Sequence, residues 1–443
     1  MITRSVDPSS NLSEACERFL DDIRQWVSHC IAAYAGAPPT DVHDQGTYTT
    51  GWEPYIQATG DKEALAFMKT LRDKIRDHYL AQGRWRHGYW TMQEAHHGTE
   101  HFELFLGSLW RLDPEDRATV SQLVDAAEHM GNWAAEIPPW FDWQKRLFYS
   151  LFFGTEGVKT EPGMDINTPD HMRCANICLL AHQAGGDARF LELASLYAGH
   201  WAEAILAGEA LPLGLTRAGP LYAFEGQAEA LYRSFVGQAP ELDSALDRAE
   251  NFLCSDAVQT FLRLWQLTAR EELRIAVEKL LDVLVTQLDD PDAGPAAAAL
   301  RQYRAITGDK HYDPAVLAVR NVLKPEAIET LTLDPTHRPK RRPAGIGKRG
   351  DMPRWLEDGR PRQHNPITLA LAAEINGDER LATRALDLAR TYFALARQAF
   401  PDGRDHGCSA RSVSAVARGH GRDNHAGMTT AVLGPLRARF LAS

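Results

Sequence analysis

A turn built from glycine and aspartate recurs along this 443-residue chain, at Gly60-Asp61, Gly186-Asp187, Gly308-Asp309 and Gly377-Asp378. Glycine ends one helix by taking the left-handed conformation, and aspartate then caps the N-terminus of the next. Alanine-rich amphipathic stretches follow each turn: Ala64 to Phe67, Phe190 to Ala194, Pro314 to Ala318 and Leu381 to Ala385. Weaker equivalents stand at Leu112 to Asp116 and Thr268 to Glu272. Apolar residues elsewhere also recur at three and four, as in Leu193, Leu196, Tyr197, Trp201 and Ile205, which is the helix period. Strand-like alternation is confined to Leu331-Thr-Leu333. The chain reads as all-α, built of helical hairpins repeating roughly every 50 to 70 residues, or twice that.

This punctuation resembles the (α/α) toroids, barrels of helical hairpins found in polysaccharide lyases, unsaturated-glucuronyl hydrolases and related glycosidases. The resemblance covers roughly residues 50–440 and implies an (α/α)6–7 toroid occupying 1–443 as a single domain. A basic Pro/Gly-rich loop at 335–365 interrupts it. A break at that loop would leave 366–443 as a small helical appendage, but the repeat continues past it at Gly377-Asp378. In such a ring the short turns collect at one rim. The long connections, 83–96, 134–170, 206–225, 323–365 and 400–427, collect at the other, where loops on a rigid scaffold carry function.

An apolar fraction of 44% and a charged fraction of 24% suit a globular protein with a sizeable core. The N-terminus lacks the apolar region of a secretory signal, and no apolar run approaches the roughly 20 residues that span a bilayer. The expectation is a cytoplasmic protein with no membrane partner. Six scattered cysteines then read as thiols, with Cys174 and Cys178 on one helix face. A net charge of -11 argues against nucleic acid as a partner. Yet 337–364 carries nine Lys/Arg against three Asp/Glu. That loop suits a lid over an anionic substrate, a solvated excursion, or a contact in a homo-oligomer.

The densest chemistry lies in Glu94-Ala-His-His-Gly-Thr-Glu-His101, just after Arg84-Trp-Arg-His-Gly-Tyr-Trp90. Histidine suits proton transfer near neutral pH and also ligates metals. His97, Glu100 and His101 match the inverted zincin pattern H-x-x-E-H, but that family needs strands and a distant carboxylate. A divalent metal at the histidines, joined by His96 or His171, is the remaining metal reading; otherwise no cofactor is implied. As a proton-transfer site, His97 and His101 share a helix face with Glu94 a turn before. Trp85, Tyr89 and Trp90 then stand at the mouth as sugar-stacking rings, with His96 beside them.

Three further segments offer contacts. In Asp165-Ile-Asn-Thr-Pro-Asp-His-Met-Arg173, Thr168 or Asp170 caps a helix whose start carries His171 and Arg173, and Asn167 precedes it. Arg418-Gly-His-Gly-Arg-Asp-Asn-His425 groups Arg418, His420, Arg422 and Asn424 as an anion clamp. Trp140, in Pro138-Pro-Trp-Phe-Asp-Trp143, is either a sugar platform or loop packing.

These residues suggest a carbon–oxygen lyase cleaving a uronic-acid-containing oligosaccharide by β-elimination. Asn167, Arg173, Arg418 or Arg422 would neutralise the C5 carboxylate, His97 or His171 would remove the C5 proton, and Tyr89 would protonate the leaving oxygen. Alternatives are a glycosidase using paired carboxylates such as Glu94 or Glu100 with Asp142 or Asp170, a dehydratase or isomerase using Cys174 and Cys178, and a helical-repeat binding scaffold.

Overall fold

A computed structural model describes residues 1–40, 43, 45–223, 245–291, 293–319, 328–336, 354–402, 413–418 and 430–441. The chain is mostly helical. Each tight turn predicted from glycine and aspartate is found, with the expected chemistry at most of them. Gly60, Gly186, Gly308 and Gly377 close their helices at φ of 67°, 78°, 73° and 72°, where any residue with a Cβ is strained. Asp61, Asp187 and Asp378 then accept from backbone N–H groups in the first turn of Lys62–Ala81, Ala188–Ala207 and Glu379–Ala399. Such caps contribute about 0.5–2 kcal/mol each. Asp309 departs from the pattern. It accepts from the His311 N–H and the Tyr303 hydroxyl, and the next helix, Asp313–Leu317, begins further on. Ala269 takes the left-handed conformation without glycine, at φ 55°.

Packing follows a closed circuit of contacts. Glu53–Thr59 touches the rod at 95–112, which packs on Met172–Gly185, then Ala257–Thr268, Gly294–Thr307, Pro366–Asn376 and Thr430–Phe440, and so back to Glu53–Thr59. Six longer helices flank it: Leu12–Tyr34, Lys62–Ala81, Arg117–Met130, Ala188–Ala207, Glu271–Leu284 and Glu379–Ala399. Circuit members pass to their flanking helices through turns of two to four residues, and Gly294–Thr307 passes to the short helix Asp313–Leu317 through five; the returns are long, apart from 285–293. The two ends of the chain meet. The Leu12 helix lies on the Glu379 helix, with Trp26 edge-on to both Trp52 and Phe393.

Strands are more numerous than the alternation predicts. Ile2–Ser5, Thr330–Asp334, Arg354–Glu357 and Arg360–Pro361 form one antiparallel sheet, so the predicted strand hint at Leu331–Leu333 is correct. Shorter ladders occupy the long returns, including Trp85–Arg86 with Tyr89–Trp90, and Gln93–Glu94 with Phe152–Gly154 and Gly157–Val158. Most are two or three residues long, too short for a period of two to register in sequence. The basic segment divides: 354–364 enters the large sheet and its approach, while 337–353 lies outside the described residues.

Gly154 fixes how two of these returns meet. A Cβ there would lie 2.4 Å from the Thr91 carbonyl oxygen and 2.7 Å from that of Trp90. Those carbonyls accept from Glu156 and Thr155 at 3.0 and 2.9 Å, so they cannot retreat without losing ladder bonds. Gly154→Ala is expected to cost about 1–3 kcal/mol, measured by chemical denaturation.

Candidate active site

The strand Gln93–Glu94 is held by Phe152 and Phe153 and delivers the chain into the rod at Ala95. Glu94 is the N-cap, its carboxylate accepting from the His97 N–H at 2.9 Å. His96, His97 and Glu100 follow within one and a half turns, so they project toward the same quarter of the helix. His43, from the connection preceding Thr47–Trp52, returns to meet them.

Their geometry is that of a graded charge cluster. Glu100 is fully buried, with Oε2 3.0 Å from His43 Nε2 and Oε1 3.1 Å from His96 Nε2. The other nitrogen of His96 lies 3.3 Å from Asp170, itself buried. Arg173 sets its guanidinium between Glu100 and Glu103, at 3.9 and 3.7 Å. Glu103 belongs to the π-helical turn His101–Leu106 and accepts from Asn176 at 2.8 Å. Such turns concentrate at functional sites. Toward the outside, His97 places Nδ1 3.5 Å from Glu94 Oε2 and keeps 34% of its side chain exposed. Its ring lies 4.1 Å, centroid to centroid, from that of His43.

Burial and charge set the protonation pattern. Burial raises Glu94 to about 7, with Asp170 and Glu100 adding to the rise against His96 and the His97 N–H. Burial also opposes ionisation of Glu100, but His96 and His43 outweigh it and hold its carboxyl well below the usual range. For His96, burial and Arg173 work against the proton; Glu100 and Asp170 prevail and take it well above its ordinary value. Burial pushes Glu103 up despite Arg173.

Several residues predicted to line the site are internal instead. Trp85, Trp90 and Trp140 are core rings: Trp85 packs against Tyr79, Trp90, His101 and Phe102, and Trp140 donates to the Gly154 carbonyl at 2.6 Å. Tyr89 is fully buried, stacked on Phe102, and among the described residues its hydroxyl has no hydrogen-bond partner. His101 is enclosed by Trp85, Phe102 and Phe105, and burial lowers it to about 3. Asn167 pegs a loop, accepting from the Phe148 N–H and donating to its carbonyl, with the Tyr197 hydroxyl donating as well. His171 accepts from the Thr168 N–H and donates to the Ser150 carbonyl, and burial lowers it to about 4. Fully engaged and enclosed, it is a structural imidazole, not a base facing substrate. Cys174 and Cys178 are buried and their thiols are pushed up by burial, which suits packing rather than proton transfer.

Two of the predicted segments do converge: 94–101 and 170–173 meet through His96–Asp170 and Glu100–Arg173. Of the third, Arg418 ends the short helix Val413–Arg418, which packs on Thr47–Trp52. Its side chain, and His420, Arg422 and Asn424, lie outside the described residues. His43 is the group that sequence reasoning missed, since one histidine in Asp41-Val-His-Asp44 carries no local signal. Among the described residues no group of three or more His, Cys, Asp or Glu is arranged to hold a metal ion, and no helix is long and apolar enough to cross a membrane. Compared with models of known families and with curated proteins, the chain matches none.

Proposed function

We propose that the helix circuit is an (α/α) toroid of seven hairpins and that the protein is a carbon–oxygen lyase acting on a uronic-acid-containing oligosaccharide. The observation that carries this reading is His97, a part-exposed imidazole backed by the Glu94 carboxyl at the head of a circuit helix. β-Elimination needs a base at the C5 proton, and a part-exposed imidazole with Nδ1 turned to Glu94 suits that work. In a toroid the circuit helices run in one direction, so their N-termini share the rim that bears the long returns. The positive ends of their dipoles there favour an anionic sugar. Asn167 and Arg173 are engaged internally, which leaves Arg418 and Arg422 as the candidates for neutralising the C5 carboxylate.

A second reading has its own support. A carboxyl at about 7, as for Glu94, is what the general acid of a glycoside hydrolase requires. One assay separates the two. Incubation with uronate oligosaccharides is expected to yield products absorbing in the ultraviolet through a new C4–C5 double bond. Reducing ends appearing without that absorbance would replace the lyase by the hydrolase.

A further inference from the structure

The His97 base accounts for half of an elimination; the leaving oxygen also needs a proton, and the tyrosine predicted to supply it is sealed in the core. A titratable ring from another segment packs against His97: that of His43, with 19% of its side chain exposed. The two imidazoles meet at 58° with centroids 4.1 Å apart, and each is backed by a separate buried carboxyl, Glu94 for His97 and Glu100 for His43. We infer that His43 is the general acid that completes the site, so that the two histidines work side by side as a base–acid pair on one face of the scissile C4–O bond. This rests on the elimination reading above.

Geometry sets the roles: the more exposed His97 is the base, and His43, seated on the buried Glu100 carboxylate, is the acid. Glu100 Oε2 lies 3.0 Å from His43 Nε2, and His96, with His43 behind it, outweighs burial and holds the Glu100 carboxyl well below the usual carboxylate range. Glu94 Oε2 lies 3.5 Å from His97 Nδ1, and burial raises that carboxyl to about 7. Among the described residues, the charged groups around the pair include His96, its ring 5.2 Å from that of His97, and Glu94, with Asp170 and Arg173 behind them against His96 and Glu100. In the step itself, His97 Nε2 takes the C5 proton and the C5–H electron pair becomes the C4–C5 double bond. The C4–O bond breaks with its pair on oxygen, and that oxygen takes a proton from the His43 ring. One proton leaves carbon and one reaches oxygen; no oxidant, reductant or further reactant is needed.

The test uses two substrates with the full chain: a uronate oligosaccharide, and a methyl uronoside carrying 4-nitrophenoxy at C4, whose leaving group departs without a proton. His43→Gln is expected to lose about 10²-fold or more on the oligosaccharide and to stay close to wild type on the nitrophenoxy compound, which also shows that the variant is folded. His97→Ala is expected to lose both. Equal loss by His43→Gln on both substrates, or loss on neither, would overturn the inference while leaving elimination intact. A wild-type protein that forms no unsaturated product from either would take down the elimination reading and this inference together.

Discussion

His97→Ala is expected to lower kcat/KM for elimination by about 10²–10⁴-fold, the usual contribution of a positioned general base, or roughly 3–5 kcal/mol of transition-state stabilisation. The loss should fall on kcat, because the ring meets the C5 proton only as it leaves, while KM stays near its wild-type value. Stability should change little. The side chain is part-exposed, and the bond that fixes the helix start is made by the backbone N–H of residue 97, which alanine retains. A steady-state assay on ultraviolet absorbance, with a melting curve beside it, checks both halves.

Glu100→Gln is expected to act on the fold. It removes the anion that His43, His96 and Arg173 share, leaving buried positive charge without its partner. Breaking a buried pair from one side costs about 3–5 kcal/mol. The effect should depend on pH in a definite way. Glu100 titrates below the carboxylate reference of 4.5, so its contribution is complete above that value and fades as pH falls through the folded pKa. His96 titrates above the histidine reference of 6.5, so its contribution is complete below that value and fades as pH rises through the folded pKa. The stability gap between wild type and Glu100→Gln should therefore be widest between about pH 4.5 and 6.5 and narrow on either side. A gap independent of pH would mean that the cluster is held by packing, not by charge.

The parts legible in sequence were those whose cause is local. A left-handed glycine followed by a capping aspartate is decided within a few residues, so the turns at Gly60, Gly186 and Gly377 could be read directly. The histidine cluster was visible because its members crowd eight positions of one segment. Which way a ring faces was not visible. Trp85, Trp90 and His101 are neighbours of that cluster in sequence, yet they turn into the core while His97 turns out. Helical spacing says which residues share a face, not whether that face meets solvent or another helix. The short ladder from Gln93 to Gly157, which orients Glu94, depends on two returns far apart in the chain. His43 is the clearest case. Its place beside His97 exists only once the connection before Thr47 folds back across the rod, and its lone imidazole gives no periodic or motif signal of that return.

The most direct test of the account is a crystal structure of His97→Ala with a bound uronate trisaccharide. The prediction is that the sugar lies on the 94–100 face beside His43. The C5–H bond of its central ring should point into the space vacated by the imidazole, at a distance the restored Nε2 would span by direct contact, about 3–3.5 Å. A trisaccharide seated away from residue 97, or presenting its anomeric carbon rather than C5 to the Glu94 carboxyl, would contradict elimination at this site.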